Sequence, residues 1–386
     1  MIEVSKRAIA ETLTPEEVKR YSRHLILPQV GVEGQKKLKS SSVLIVGAGG
    51  LGSPVSLYLA GAGIGRIGIA DYDTVELSNL HRQIAHATSN IGLLKADSAK
   101  EAIKAINPHV EVNTIHARLT SSNAREVVEG YDIIVDGSDN FPTRYLLNDA
   151  GVLLRKPVVY GSIFRFEGQV SVFDAREGPC YRCLYPEPPA PELVPNCAEG
   201  GVLGVLAGII GSLQASETIK ILLQIGEPLI GKLLLVDALR TEFNLLRLKK
   251  NPACSICGLS PSVSSLIDYD EFCGHRKENE KNRHEITPQQ LYALLKEGKP
   301  ITLLDVREPY EYELANIGGR LIPLSELPRK YKLLDFQSEI VAICHHGNRS
   351  SVAVEFLLQQ GFTNVKNLVG GIDRWSTDVD PSLPRY

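Results

Sequence analysis

"VLIVGAGGLG", residues 43–52, decides the fold of the first part of this 386-residue chain. Four apolar residues typical of a buried strand precede Gly47, Gly49 and Gly52, which have the spacing G-x-G-x-x-G. A helix-like stretch, roughly 51–63, follows them. Backbone N–H groups at such a turn, together with the start of a helix, bind phosphate. The stretch therefore predicts a nucleotide-binding site in an α/β fold.

Strand and helix patterns alternate on the C-terminal side of this turn. Such alternation predicts a parallel sheet covered by helices. "FEGQVSVF" (166–173) is expected to extend the sheet with an antiparallel strand. The other predicted elements are the strands "RIGIADYD" (66–73), "YDIIVDGSDN" (131–140) and "PVVYGS" (157–162), with helices near 94–106 and 143–154.

The composition excludes several classes of protein. Hydrophobic residues make up 43% of the chain and charged residues 23%, and the net charge of -3 gives no general attraction to nucleic acid or anionic membranes. Acidic residues in 1–18 stand where a secretory signal has its apolar core, so we expect a cytoplasmic chain. The apolar run 202–213 is too short to span a bilayer and predicts a buried helix whose glycines admit a close neighbour. The alternative is a membrane helix whose small residues pack against other helices.

The chain has seven cysteines, four of which form two CxxC pairs. In a cytosolic protein such cysteines favour metal binding or reactive thiols over disulfides. Cys180 with Cys183, and Cys254 with Cys257, supply four thiolates for a tetrahedral, structural Zn²⁺ site. A redox dithiol and unligated core cysteines are the alternatives. Cys273 lies in a polar segment without a motif and receives no role.

Polar residues after the glycine-rich turn indicate how a nucleotide is used. Asp71 ends the next strand where an acid bonds a ribose hydroxyl, which on its own predicts a dehydrogenase. Arginine and lysine instead suit stabilisation of phosphate charge, and an aspartate suits Mg²⁺. A packing turn without a ligand, with solvent-exposed charged side chains, remains the alternative. The residues that favour phosphate chemistry are Asn79, Arg82, Lys95, Asp139 and Asn140.

The composition changes after "CSICG" (254–258). Residues 259–285 are polar and charged without sustained periodicity, which predicts a linker. We therefore expect a first domain over 1–260, a linker over 261–283 and a second α/β domain over 284–386.

"AICHHGNRSS" (342–351) places Cys344 between a predicted strand and a predicted helix. Loop N–H groups, Arg349 and the helix N-terminus all favour the thiolate and would also stabilise a terminal sulfur anion. His345 and His346 are expected to be solvated loop residues or to tune this charge. Asp305, on another strand, is expected to be a structural hydrogen-bond partner.

The first domain resembles the ThiF/MoeB adenylyltransferases, Rossmann-like relatives of ubiquitin-activating enzymes, over about 20–258. "GAGGLG", "DYDTVELSNLHRQ", Lys95, "GSDN", the paired CxxC motifs and "PNCAEGG" carry the resemblance. It implies a homodimer that uses ATP to adenylate the C-terminal glycine of a ubiquitin-like sulfur carrier ending in Gly-Gly. It also implies the four-cysteine zinc site, a second reactive cysteine at Cys197, and Arg23 reaching the nucleotide of a partner subunit. The implied ATP contacts are Gly50, Asp71, Ser78, Asn79, Leu80, His81, Arg82, Lys95, Asp139 and Asn140.

The second domain resembles a rhodanese over 284–380, on the Cys344 loop, "LLDVREPYEYELANIGG" and "VKNLVGGIDRW". Rhodaneses carry sulfur as a cysteine persulfide, whereas phosphatases of the same fold use a loop one residue longer. The fusion implies that a Cys344 persulfide, loaded from thiosulfate or a cysteine desulfurase, displaces AMP and yields a carrier thiocarboxylate. Molybdenum-cofactor synthesis and tRNA thiolation are the expected pathways. The alternatives are a dinucleotide-dependent disulfide reductase fused to rhodanese and a non-catalytic zinc scaffold.

Overall fold

Strand β1 (Ser42–Val46) is buried at every residue and pairs in parallel with β2 (Arg66–Ala70) and β4 (Ile133–Asp136). These strands belong to a computed structural model that describes residues 12–189, 201–274 and 284–386. β3 (Glu111–Ile115) pairs with β2, and β5 (Val158–Phe164) pairs with β4. The parallel order is thus β3-β2-β1-β4-β5. From β1 the chain adds β2 and β3 on one side of the sheet, and from β4 it adds strands on the other side. This change in strand order opens a crevice at the carboxyl ends of β1 and β4.

Three antiparallel strands continue the sheet beyond β5. They are β6 (Glu167–Phe173), β7 (Lys232–Asp237) and β8 (Glu242–Arg247), which pair in sequence order. β6 confirms the antiparallel extension predicted for 166–173. The helices of this unit are Pro15–Arg20, Ser22–Leu25, Gly31–Ser40, Gly52–Ala62, Lys95–Ile106, Ala124–Glu129, Phe141–Leu154, Tyr181–Leu184, Gly204–Leu223 and Tyr269–Phe272.

The helix Gly204–Leu223 packs against the helix that follows the glycine-rich turn. A Cβ on Gly211 would lie 2.7 Å from the Leu51 carbonyl oxygen and closer still to Pro54, so only glycine permits this approach. The predicted close packing is confirmed. The helix extends beyond the apolar run of the sequence, however, and its 20 residues meet the length and composition of a membrane span. The most apolar part of the helix is 56% buried within the protein, as in a core helix.

Part of the predicted linker belongs to the first unit, which extends to Gly274. Tyr269, in a short helix of this segment, is buried, and its hydroxyl donates to Asp149 Oδ2 at 2.8 Å. Asp149 also pairs with Arg182 through two hydrogen bonds of 2.8 Å. Tyr269 thus ties this segment to a buried network of the first unit.

The second unit has a five-stranded, all-parallel sheet in the order β11-β10-β12-β13-β9. Its strands are β9 (Glu285–Ile286), β10 (Ile301–Asp305), β11 (Arg320–Leu321), β12 (Glu339–Ile343) and β13 (Val365–Leu368). Its helices are Pro288–Lys296, Pro309–Leu314, Leu327–Lys330, Asn348–Gln359 and Gly371–Asp378. Cys344 directly follows the buried central strand β12. Both units confirm the predicted α/β class.

Candidate active sites

The glycine-rich turn after β1 lies tightly against the turn after β4. Gly47 has φ +93°, and a Cβ there would lie 2.7 Å from the Gly137 carbonyl oxygen. A Cβ on Gly52 would overlap the Gly47 carbonyl oxygen. Gly47 and Gly52 are therefore required by backbone packing, which shapes the turn.

A cavity opens at the carboxyl ends of β1, β2 and β4. Nine of the residues proposed from the sequence line it, so the structure brings together segments that are far apart in the chain. Gly52, Ser78, Leu80, His81 and the exposed Arg23 are not among the lining residues that the structure describes. The nine lining residues are Gly47, Gly49, Gly50, Asp71, Asn79, Arg82, Lys95, Asp139 and Asn140.

Asp71 faces this cavity with its carboxylate fixed by two backbone amides. Oδ2 accepts from Ala48 N–H at 2.7 Å and Oδ1 from Asp73 N–H at 2.9 Å. Burial raises the pKa of Asp71, although these hydrogen bonds and the Lys95 charge oppose the effect. The carboxylate thereby couples the glycine-rich turn to the segment after β2.

Lys95 and Arg82 are two of the cations on this side of the cavity, which Arg118, paired with Asp270, also lines. Lys95 is buried at the start of its helix, and its Nζ donates to Asp73 Oδ2 at 2.9 Å. Arg82 Nη1 donates to the Ser78 carbonyl oxygen at 3.1 Å and to His81 Nε2 at 2.8 Å. Both cations are thus held in place beside the glycine-rich turn. The sequence interpretation had not included Asp73.

Arg144 is a further cation that the sequence interpretation missed. It lines the cavity from the helix Phe141–Leu154, on the side of β5. Its Nη2 donates to Ser162 Oγ at 3.1 Å, and its guanidinium lies 5.4 Å from the Phe141 ring centroid and 5.6 Å from that of Tyr160. One sequence signal could have indicated Arg144: a positive charge near the start of a helix, where the helix dipole disfavours positive charge.

The four CxxC cysteines form one cluster. Their sulfur atoms all lie within 4.8 Å of one another, with separations of 3.6 Å for Cys180–Cys254 and 3.4 Å for Cys183–Cys257. Tetrahedral zinc with bonds of about 2.3 Å places its sulfur ligands about 3.8 Å apart. Hydrogen bonding from Cys180 lowers the pKa of Cys257 to about 5, so the cluster already favours one thiolate. The cluster fits zinc.

Two other cysteines have different surroundings. Cys273 is buried in the core of the first unit, and burial raises its pKa to about 12. Cys197 lies outside the described residues. The six described cysteines are free thiols.

Cys344 lies at the bottom of the loop between β12 and the helix Asn348–Gln359, where it is fully buried. Gly347 N–H lies 3.1 Å from its sulfur, and Ser350 Oγ lies 3.2 Å from it. The expectation that the loop favours the thiolate is only partly met. Burial raises the pKa of Cys344, while Ser350, Arg349 and Gly347 oppose that rise.

The charged residues around this loop are paired. Arg349 donates to both Glu311 carboxylate oxygens, at 2.7 and 2.6 Å. Asp305 accepts from the backbone and guanidinium of the buried Arg307, which confirms its structural role. His345 is buried rather than solvated because it stacks on Tyr386, with ring centroids 4.3 Å apart. Burial lowers the pKa of His345 to about 4, so it is neutral.

Comparison with known proteins agrees with this two-site arrangement. Residues 21–256 match the ThiF family, and residues 287–378 match the rhodanese-like domain. The chain is 45% identical to the "Adenylyltransferase and sulfurtransferase MOCS3" of Aedes aegypti over 97% of this chain and 90% of the relative. It is also 45% identical to the "Probable adenylyltransferase/sulfurtransferase MoeZ" of Mycobacterium tuberculosis (strain ATCC 25618 / H37Rv), over 98% of this chain and 97% of the relative.

Solved structures support the fold of the first unit. The microcin C7 biosynthetic enzyme MccB, solved with N-formylated MccA, has a TM-score of 0.57 and 24% identity over 62% of this chain and 75% of its own. The E. coli MccB structure with ATP has a TM-score of 0.54 and 24% identity over 62% of this chain and 74% of its own.

Proposed function

The chain belongs to the ThiF family and carries a rhodanese-like domain in the same polypeptide, and on this premise we propose how its two sites divide one reaction. It is an adenylyltransferase and sulfurtransferase that acts on a sulfur-carrier protein. In our proposal the carrier is ubiquitin-like and ends in Gly-Gly. The thiocarboxylate product serves molybdenum-cofactor synthesis, tRNA thiolation or both.

The first reaction takes place in the cavity of the first unit. A carrier carboxylate oxygen attacks the α-phosphorus of ATP, the bond to pyrophosphate breaks, and an acyl-adenylate forms. Lys95 and Arg82 reduce the repulsion between the anionic carboxylate and the phosphates. Their location beside the glycine-rich turn is the observation that supports this proposal most strongly. Asp71 holds the ribose, and Arg23 reaches the nucleotide of a second subunit in a homodimer.

Two metals fit residues of this unit. Asp139 is an exposed carboxylate that lines the cavity and would hold Mg²⁺, an oxygen-seeking ion that neutralises phosphate charge. The four-cysteine cluster would hold Zn²⁺. Four thiolates leave no open coordination position, so this zinc would be structural.

The second reaction takes place at Cys344. A persulfide on Cys344, supplied by thiosulfate or a cysteine desulfurase, attacks the acyl carbon with its terminal sulfur, and AMP leaves. The resulting acyl disulfide is cleaved when the Cys197 thiolate attacks the Cys344 sulfur. This step releases the thiocarboxylate and leaves a Cys197–Cys344 disulfide for an external thiol to reduce. Such chemistry suits the cytoplasm, where thiols stay reduced.

The assignment of the cavity is tested by ATP–pyrophosphate exchange in the presence of carrier. Lys95→Ala should slow exchange at least about a hundredfold, since one oriented charge contributes about 3 kcal/mol to the barrier. Lys104→Ala, on the exposed face of the same helix, is the control and should leave exchange unchanged. Cys344→Ala should also exchange normally. Exchange by Lys95→Ala at the unsubstituted rate would mean that the ATP site is elsewhere.

A further inference from the structure

Arg144 is half-buried and makes few hydrogen bonds with the described residues. Its Nη2 donates to the Ser162 hydroxyl and, at 3.5 Å, to the Ser138 carbonyl oxygen. Its Nε is buried and makes no hydrogen bond within the part of the chain that the structure describes. No carboxylate oxygen of the described residues lies within 4.0 Å of its guanidinium. Among the residues that the structure describes, this permanent positive charge therefore has no paired anion.

The surroundings of Arg144 fix this charge without neutralising it. The Phe141 and Tyr160 rings pack against the guanidinium. The carboxylate of nearby Asp136 is fully buried and accepts hydrogen bonds from the Ser138 amide and hydroxyl. The positive end of the helix Phe141–Leu154 adds to the potential. A half-buried charge without a paired anion among the described residues is destabilising, so this arrangement is suited to an anion that arrives with a substrate.

The position of Arg144 distinguishes it from Lys95 and Arg82. Those two residues lie in the segment that follows β2, whereas Arg144 bonds to Ser162 on β5. In the order β2-β1-β4-β5, β5 is two strands, or about 10 Å, from the glycine-rich turn that ends β1. The cavity thus has cations on two opposite sides, with the glycine-rich turn and Asp139 between them.

Adenylation by in-line displacement needs two anions on opposite sides of the α-phosphorus. The incoming carboxylate approaches from one side, and pyrophosphate leaves from the other. Lys95 and Arg82 are suited to the pyrophosphate. We propose that Arg144 binds the C-terminal carboxylate of the carrier and orients one of its oxygens toward the α-phosphorus. This inference rests on the proposed adenylation, and it assigns the subsite for the carrier carboxylate, which accepts the adenylyl group in that reaction.

The test uses the full-length enzyme and a Gly-Gly-ended ubiquitin-like carrier that supports pyrophosphate exchange. Arg144→Gln should raise the KM for carrier at least about tenfold, as expected when one member of a buried charge pair is removed. The KM for ATP should stay within about twofold of the unsubstituted value, because the nucleotide contacts remain. Arg125→Gln, which removes an exposed arginine of the same unit, is the control and should change neither constant.

A second measurement tests how much the carrier carboxylate alone contributes to binding. The same carrier, prepared with a C-terminal carboxamide, is compared with the free acid in a direct binding assay. The unsubstituted enzyme should prefer the acid at least about tenfold, and Arg144→Gln should lose that preference. If Arg144→Gln fails to fold, Arg144→Lys replaces it and should raise the carrier KM alone, because lysine lacks the two-pronged geometry.

Two results would overturn the inference. A raised KM for ATP with an unchanged carrier KM would mean that Arg144 binds the nucleotide. An intact preference for the acid in the variant would mean that the guanidinium has only a packing role. A different result, no carrier-dependent exchange by the unsubstituted enzyme, would contradict the proposed adenylation itself.

Discussion

At Cys344, burial and hydrogen bonding act on the same thiol in opposite directions. The loop sequence indicated the donors, and the structure places Gly347 N–H and Ser350 Oγ 3.1 and 3.2 Å from the sulfur. It did not indicate how deeply the thiol is buried, because that depends on β10 and β13 on either side of β12. Desolvation disfavours the thiolate, and burial therefore raises the pKa of Cys344.

Ser350→Ala tests this balance. Removing a donor that lowers the pKa should raise it further, so less thiolate is present at any pH below the pKa. Alkylation of Cys344 by iodoacetamide should be several-fold slower in the variant than in the unsubstituted protein near neutral pH. The alkylation rates of the two proteins should converge at high pH. Ser351→Ala, on the next residue, is the control. Superimposable pH profiles would show that the Ser350 hydroxyl donates to Asn367 Oδ1, 2.6 Å away, instead of to the sulfur.

At the scale of elements, the glycine-rich turn and its flanking strand and helix could be predicted because each is encoded locally. The helix Gly52–Ala62 differs from the predicted 51–63 by a single residue at either end. β3 gives a weaker signal, since Glu111 is exposed and Asn113 and Thr114 are only half-buried. The role of Arg144 also depends on distant residues, because Ser162 and Tyr160 come from β5. Likewise, the sequence alone places Tyr269 in a linker, and only its hydrogen bond to the distant Asp149 shows that it belongs to the first unit.

Gly211 and Gly208 provide a matched pair on one helix. Gly211→Ala should destabilise the protein by about 1–3 kcal/mol and weaken ATP binding, because the new Cβ meets Pro54 and the Leu51 carbonyl oxygen. A Cβ at Gly208 meets nothing within 4 Å, so Gly208→Ala should be neutral or stabilising by up to about 1 kcal/mol. Chemical denaturation measures both effects. Equal stabilities would refute the close packing of the two helices.

The cysteine cluster joins the segment that follows β6 to the segment that follows β8. Elemental analysis of the purified protein should find about one zinc per chain. Cys254→Ser should remove it and lower the free energy of unfolding by more than about 4 kcal/mol, since a structural metal contributes directly to folding.

Cys273→Ala is the matched control for the zinc site. This thiol is also buried but lies outside the cluster, so the variant should keep its metal. A stably folded, metal-free native protein would contradict the zinc assignment.

At the scale of the whole molecule, one chain carries an activating site and a sulfur-carrying site in separately folded units. Both sites could be proposed from the sequence because each includes a short local motif next to a strand. In our proposal, the covalent connection raises the effective concentration of the persulfide for the acyl-adenylate, without a second bimolecular encounter. The path by which sulfur leaves Cys344 involves Cys197 in our proposal, so Cys197→Ala should keep the persulfide but slow release of product.

The most direct test of the two-site account is the intact mass of the carrier after incubation with enzyme, ATP, Mg²⁺, thiosulfate and a thiol reductant. The unsubstituted enzyme should convert the carrier to a species in which one carboxylate oxygen is replaced by sulfur. Lys95→Ala should give only unmodified carrier, whereas Cys344→Ala should release pyrophosphate without forming thiocarboxylate. Thiocarboxylate formed by Cys344→Ala at the unsubstituted rate, with sulfane sulfur found on Cys197 or Cys273, would contradict the account.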